Sequence, residues 1–374
     1  MRIERDKSLR DLNTFGVDAT AKYFAEVRSA EGFRELVSAP VYARERRLVL
    51  GGGSNILFTR DFDGILIKNS MPGIEVLRED AEHAWVRAGA GEVWHTFVRF
   101  CVERGFAGVE NLSLIPGQVG AAPIQNIGAY GVEMESTCES VEALHTATAE
   151  PVTLSRRDCE FGYRDSVFKR RYRDQFLISA VTFRLHRRPR FEIGYGDLRR
   201  TLDEMHVAEL SIQAVSDAVI RIRSSKLPDP RVLGNAGSFF KNPVIPWEEF
   251  TRLHAQHPSM PHYPQPDGPA PPAGPAPAGG PPQPGGDPER EGDTQRRGDP
   301  QRRGPVKLPA AWLIEQCGWK GRTVGRAGVH RSHALVLVNH GGATGAEIHQ
   351  LAEEIRRSVR ERFGIDLVPE VNLV

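Results

Sequence analysis

IPGQVGAAPIQNIGAYG, residues Ile115 to Gly131, decides how the rest of the chain is read. Four glycines and two prolines in this stretch exclude a regular helix or an interior strand. Glycine lets backbone amides approach a ligand with no Cβ in the way, so the stretch reads as a loop moulded around something large. Gln125, Asn126 and Tyr130 add amide donors and acceptors and a flat aromatic face. A second glycine loop, GGGSN at Gly51 to Asn55, follows the apolar run Leu48, Val49, Leu50. Its open amides and the Ser54 hydroxyl suit an anionic group such as a pyrophosphate. Two such loops converging on one bulky phosphorylated ligand point to a cofactor enzyme.

Taken alone, GGGSN reads as an ordinary turn. It lacks the Lys-Ser/Thr ending of a P-loop and the spacing of a dinucleotide fingerprint. The longer loop is harder to read that way, because it carries Ile115, Val119, Ile124 and Ile127 and no charge. That pattern suits packing against a ring system.

The 374 residues are enough for two or three domains with a substantial core. A formal charge of +1 argues against a dedicated nucleic-acid binder. Cys101, Cys138, Cys159 and Cys317 stand far apart with no Cys-x-x-Cys pair, as expected of reduced thiols in a cytoplasmic protein. The opening MRIERDKSLRDLN is charged where a signal peptide is apolar, and no run is long enough to span a bilayer. No membrane insertion is expected.

Strands are expected at Leu48–Leu50, Ile65–Ile67, His83–Ala90, Val141–His145, Phe176–Leu185 and Ala334–Asn339. Helices alternate with them. One is capped by Ser29 and bears Phe33, Leu36 and Val37; another carries Val93, Phe97 and Cys101 and stops at Gly105. A third starts at Ser211 with Val215, Val219 and Ile222 facing the core. The last has Thr344 and Glu347 as a capping box, the stripe Ile348, Leu351, Ile355, Val359, and Gly364 as its stop. The class is α+β. From Gly268 to Gly304 the composition is Pro, Gly, Ala, Gln, Asp and Arg with hardly an apolar side chain, which reads as a disordered, solubilising insertion.

Three motifs outside the glycine loops carry chemistry. In YRDSVFK, Tyr163 to Lys169, Arg164 offers a planar fork to a carboxylate or a carbonyl, unless it merely pairs with Asp165 on a surface turn. In SKLPDP and GNAGSFFKNP, Lys226 precedes a Pro-rich bend and Ser238 lies between small residues and Phe239–Phe240. No G-x-S-x-G pattern surrounds Ser238, so proton donation fits better than acyl chemistry. In PEVNLV, Glu370 is expected on a strand, facing the same way as Val368 and Asn372. A carboxylate in apolar company is either an exposed edge residue or a tuned catalytic group. His330, His333 and His340 lack the spacing of zinc ligands, so no metal is expected.

Together these motifs resemble the UDP-N-acetylenolpyruvoylglucosamine reductase family, FAD enzymes of peptidoglycan synthesis. The resemblance runs along nearly the whole chain: NTFGV at Asn13–Val17, LGGGSN, IPGQVGAAPIQNIGAYG, YRDSVFK, KLPDP, AGSFFKNP, AAWLIEQCG at Ala310–Gly318 and PEV at Pro369–Val371. GYGDL, with Tyr195, is similar to the longer, type I branch.

The resemblance implies vanillyl-alcohol-oxidase-type FAD-binding domains at 1–69, with the C-terminal strand 366–374 near it, and at 70–210. A C-terminal α/β substrate-binding domain follows at 211–365, interrupted by the insertion 268–304, where the family has a short loop. It implies non-covalent FAD, with NADPH as hydride donor and UDP-N-acetylglucosamine enolpyruvate as substrate, in a cytoplasmic monomer. Cofactor contacts would come from Gly51, Gly52, Gly53, Ser54, Asn55, Pro116, Gly117, Gln125, Asn126, Ile127, Gly128, Ala129, Tyr130, Gly131 and Arg164. Arg164, Ser238 and Glu370 would be catalytic, and Tyr163, Tyr195, Lys226, Asn242 and His333 would bind substrate. Competing readings are a flavin oxidase on the same FAD-binding fold and an inactive nucleotide-sugar-binding relative.

Overall fold

The computed structural model describes residues 1–264 and 304–374. The insertion expected at Gly268–Gly304 therefore lies outside the described residues except for its last glycine. The first sheet has the order Ile3–Ser8, Thr20–Val27, Phe62–Asn69, Arg47–Leu50. Its first pair is antiparallel and the other two are parallel. Covered on both faces, the Phe62–Asn69 strand has no polar alternation at its centre, and Ile65, Leu66 and Ile67 are all fully buried. Helix Ala30–Val37 packs on this sheet through Phe33 and Leu36, and the Ser29 hydroxyl accepts from Gly32 N–H at 3.1 Å.

The second sheet is antiparallel throughout, in the order Pro151–Ser155, Cys138–His145, Phe176–His186, His83–Gly89, Ile74–Glu79. Helix Trp94–Glu103 shares its core through Trp94, Phe97, Val98 and Cys101. Val93, expected on that apolar stripe, is instead half exposed. Its backbone stays extended because it forms a bridge to Gln118 of the long glycine loop, and the helix begins one residue later.

The third unit has a sheet in the order Gly234–Ser238, Val336–Asn339, Ala327–Val329, Thr323–Val324. Ser211 caps helix Ile212–Lys226 by accepting from Ala214 N–H. The Thr344–Glu347 capping box and left-handed Gly364 bound helix Gly345–Phe363, whose buried stripe includes Ile348, Leu351, Ile355 and Val359. The core of this unit continues onto Phe15, Val17 and Leu57 of the N-terminal region. The strand Asn372–Leu373 pairs in parallel with Ile56–Leu57 beside the first sheet. The third unit is thereby fixed against the first at both ends of the chain.

A three-stranded sheet carries the flanks of the insertion: Tyr263 pairs with Lys307 and Pro264 with Val306. The two flanks are thus already adjacent, and a short turn suffices to join them. Replacing residues 265–303 with Asn-Gly is expected to leave flavin content, melting temperature and turnover nearly unchanged, since the segment has few apolar side chains to contribute to a core. Steady-state turnover of the shortened chain checks this; a large fall with folding intact would assign the segment a working role.

Candidate active site

The two glycine loops meet. A Cβ on Gly52 would lie 3.1 Å from Gly117 Cα, and one on Gly117 would lie 2.9 Å from Ser54 Oγ. Gly53 adopts φ +65° against the chain at Leu12, where a Cβ would collide with the carbonyl oxygen at 1.9 Å. Asn55 Nδ2 donates to Gln125 Oε1 at 2.7 Å and to the Glu370 carbonyl at 3.2 Å, tying both loops to the C-terminal segment. Lys68, on the central strand of the first sheet, donates to the Gly51 carbonyl from below. Gln118 Nε2 donates to Gly91, while its buried Oε1 has no partner among the described residues. A cradle of backbone without side chains, with a buried acceptor awaiting a donor, fits a large polar cofactor such as FAD.

Several loop residues serve the protein itself. Asn126, expected to contact the cofactor, is fully buried: Nδ2 donates to Glu133 Oε2 at 3.0 Å and Gly162 O at 3.1 Å, and Oδ1 accepts from Glu135 N–H. Val119 and Ile127 point into the core of the second sheet rather than toward a ring ligand, because that sheet needs the apolar cover. Ile124 remains partly exposed. Tyr130 packs against the cluster around helix Ile212–Lys226, and its hydroxyl meets Arg223.

Arg164 sits at the centre. Its φ of +53° is unusual for a residue with a side chain. The guanidinium donates from Nη1 to Asn126 O at 3.2 Å and from Nη2 to Gly128 O at 2.5 Å. Nε lies 3.2 Å from Glu370 Oε1, and Nη1 lies 3.6 Å from Glu133 Oε1. The alternative pairing with Asp165 is not formed; Asp165 pairs with Arg170. Lys169 and Lys241 both donate to the Arg164 carbonyl at 3.4 Å.

Glu370 departs from the expected strand, which starts only at Asn372. Pro369 bridges Phe240, and Glu370 N–H donates to Phe239 O at 2.8 Å. The side chain is largely buried and faces Arg164, Lys169 and Lys241, while Val368 faces solvent. Burial pushes its carboxyl above the usual range, against the opposing pull of those three cations. Burial raises Glu133 likewise, with Arg164 opposing. Ser238 ends its strand opposite Val336, after left-handed Gly237 and a bulge, and directly precedes Phe239. The Phe239–Glu370 backbone bond and the Glu370–Arg164 ion pair therefore bring all three expected catalytic residues into one neighbourhood.

The expected substrate residues are more scattered. Tyr163 is 40 % exposed, with Lys307 Nζ 4.9 Å above its ring. Tyr195 is 45 % exposed, stacks on Tyr263 at 6.5 Å, and lies beside Gly131. Asn242 Oδ1 accepts from Ala310 N–H at 2.9 Å, capping helix Ala310–Gln316, whose Pro309 has no side-chain cap to offer. Lys226 pairs with Asp197 at 2.5 Å. His333 is largely buried, and burial lowers its pKa, with the nearby Lys226 adding to the effect. The sequence reading missed Glu133, and left Lys169 and Lys241 without a role. Two of the three stood in quoted motifs, YRDSVFK and FFKNP; Glu133 had only its place two residues after the long loop.

The description "FAD binding domain" fits residues 21–155, and "UDP-N-acetylenolpyruvoylglucosamine reductase, C-terminal domain" fits residues 229–374. With the cradle above, the first match makes the chain a flavin-dependent oxidoreductase that uses FAD. The reductase of Burkholderia vietnamiensis is 48 % identical over 367 residues, 98 % of this chain and 95 % of that protein. That of Amoebophilus asiaticus is 44 % identical over 374 residues, all of both chains. The Thermus caldophilus UDP-N-acetylenolpyruvylglucosamine reductase crystal structure shares the fold, with a TM-score of 0.61 at 23 % identity over 100 % of this chain and 99 % of that one. The chain belongs to the UDP-N-acetylenolpyruvoylglucosamine reductase family, which serves peptidoglycan synthesis. Among the described residues, no helix is long and apolar enough to cross a membrane.

Proposed function

We propose that this protein reduces UDP-N-acetylglucosamine enolpyruvate to UDP-N-acetylmuramate with electrons from NADPH, as a monomer in the cytoplasm. The observation that carries this reading is the largely buried Arg164–Glu370 pair, joined by a backbone bond to Phe239 just after Ser238 and by Asn55 to the glycine loops. The same reading divides the chain into FAD-binding parts at 1–69 and 70–210 and a substrate part at 211–365.

The chemistry that bound FAD, reduced by NADPH, would supply is a hydride for the terminal methylene carbon of the enolpyruvyl ether. Charge then builds on the carbon next to the carboxylate, and Arg164 stabilises it with donors fixed in advance by the 126 and 128 carbonyls. Ser238 Oγ–H delivers the proton to that carbon. A serine hydroxyl is a weak acid, so it needs support, and the protonated form of Glu370 provides it. Because burial raises Glu370, that form persists to higher pH than an ordinary glutamate allows; the support is lost as pH rises through the raised pKa.

Colour tests the reading. The purified protein should be yellow, bleach with NADPH under anaerobic conditions, and recolour on adding the enolpyruvyl nucleotide. Recolouring by oxygen alone would favour an oxidase, and failure to bleach would favour an inactive binder.

Lys226 ends helix Ile212–Lys226, half exposed, and its tie to Asp197 must open if it is to hold the nucleotide diphosphate. A diphosphate remote from the alkene binds equally in ground and transition states, so Lys226→Ala should raise KM about tenfold to a hundredfold with kcat spared. If Lys226 only steadies the C-terminus of its helix, the melting temperature falls and saturation stays normal.

A further inference from the structure

We propose that Glu133 is a positioning residue, a second carboxylate on Arg164 that draws part of the guanidinium's charge away from Glu370. The proposal rests on the reading that Arg164 and Glu370 serve reduction of the enolpyruvyl group.

Glu133 belongs to a two-residue strand, Val132–Glu133, paired with Gly128–Ala129, so that Glu133 stands opposite Gly128. That glycine makes the arrangement possible. A Cβ on it would lie 2.9 Å from Arg164 Nη1 and 2.9 Å from Glu133 Cγ, driving the two side chains apart. Buried Asn126 fixes one oxygen of Glu133 through Nδ2, leaving Oε1 turned to Nη1 at 3.6 Å. The hairpin thus grips the guanidinium with two carbonyls and a carboxylate, and the remaining Nε faces Glu370. Seating the guanidinium calls for the carbonyls alone; placing a second desolvated carboxylate there adds a charge effect.

The charges around each carboxylate define that effect. Glu133 is faced by Arg164, by Glu135 just after its strand, and by Lys307 from the strand Val306–Lys307. Glu370 is faced by Arg164, Lys169 and Lys241, with Tyr163 nearby. One guanidinium shared between two carboxylates compensates neither fully. Without the Glu133 charge, Arg164 would favour ionised Glu370 more strongly, and the protonated form would be lost at lower pH.

The experiment follows, by anaerobic stopped flow across pH, recolouring of NADPH-reduced holoenzyme by UDP-N-acetylglucosamine enolpyruvate. In Glu133→Gln, which keeps shape and hydrogen bonds but loses charge, the high-pH limb should move down by about one unit. The rate above that limb should fall about tenfold, while flavin reduction by NADPH stays unchanged. Glu133→Asp, which restores the charge, should move the limb back toward wild type. A Glu133→Gln limb that overlays wild type overturns the proposal, as does a lowered melting temperature or FAD loss with an unmoved limb, which indicates a structural role only. If wild-type enzyme itself fails to recolour with the nucleotide, the functional reading fails instead.

Discussion

Ser238→Ala is expected to retain FAD and its reduction by NADPH while slowing reduction of the enolpyruvyl substrate about a hundredfold or more. Ser238 Oγ makes no hydrogen bond among the described residues, so alanine leaves no protein partner unsatisfied. The strand pairing to Val336 and the Phe239–Glu370 bond are backbone features that survive the change. Stability should therefore move little. Loss of a positioned proton donor costs about a hundred- to ten-thousandfold in rate, and the cost falls only on the step that consumes the proton. Stopped-flow absorbance separates bleaching by NADPH from recolouring by the nucleotide. Equal slowing of both halves would remove Ser238 from the acid role.

The elements with strong local signals were legible in the sequence. The capping box at Thr344, the Ser211 and Ser29 caps and the buried run Ile65–Ile67 each depend on residues within a turn or two, and each stands where expected. Convergence of GGGSN with the longer loop was also readable, because both need backbone without Cβ and only close approach uses that. What failed to show was which side chains would find partners distant in sequence. Glu370 alternates with Val368 on paper, but an ion pair to Arg164 and a backbone bond to Phe239 hold it out of the strand. Asn126 looked like a ligand donor; its hydrogen bonds close the hairpin that seats Arg164. Asn242 looked like a diphosphate grip, and its carbonyl oxygen is engaged by a helix N-terminus sixty-eight residues on. Glu133 had no sequence signal of its own, since its meaning lies in a guanidinium from another loop.

Arg164→Lys is expected to slow recolouring by the enolpyruvyl nucleotide about a hundredfold to a thousandfold, the scale for losing a donor aimed at developing charge. Lysine keeps the charge, so Glu370 and Glu133 are not left as uncompensated buried carboxylates, and the left-handed backbone at 164 is no harder for lysine than for arginine. What lysine lacks is the fork. One ammonium cannot reach the Asn126 and Gly128 carbonyls, Glu133 and Glu370 at once, as the guanidinium does. Two consequences separate on measurement. If the fork also holds the long loop in shape for the cofactor, FAD affinity falls about tenfold, the scale of one charge-assisted hydrogen bond, and flavin fluorescence on dilution reports it. Saturating FAD removes that contribution. A hundredfold defect that persists at saturating FAD, with bleaching by NADPH intact, assigns Arg164 to the developing carboxylate charge. Full recovery at saturating FAD confines it to the loop, and the charge-stabilising role would then pass to Lys169 and Lys241, the other two cations that face Glu370.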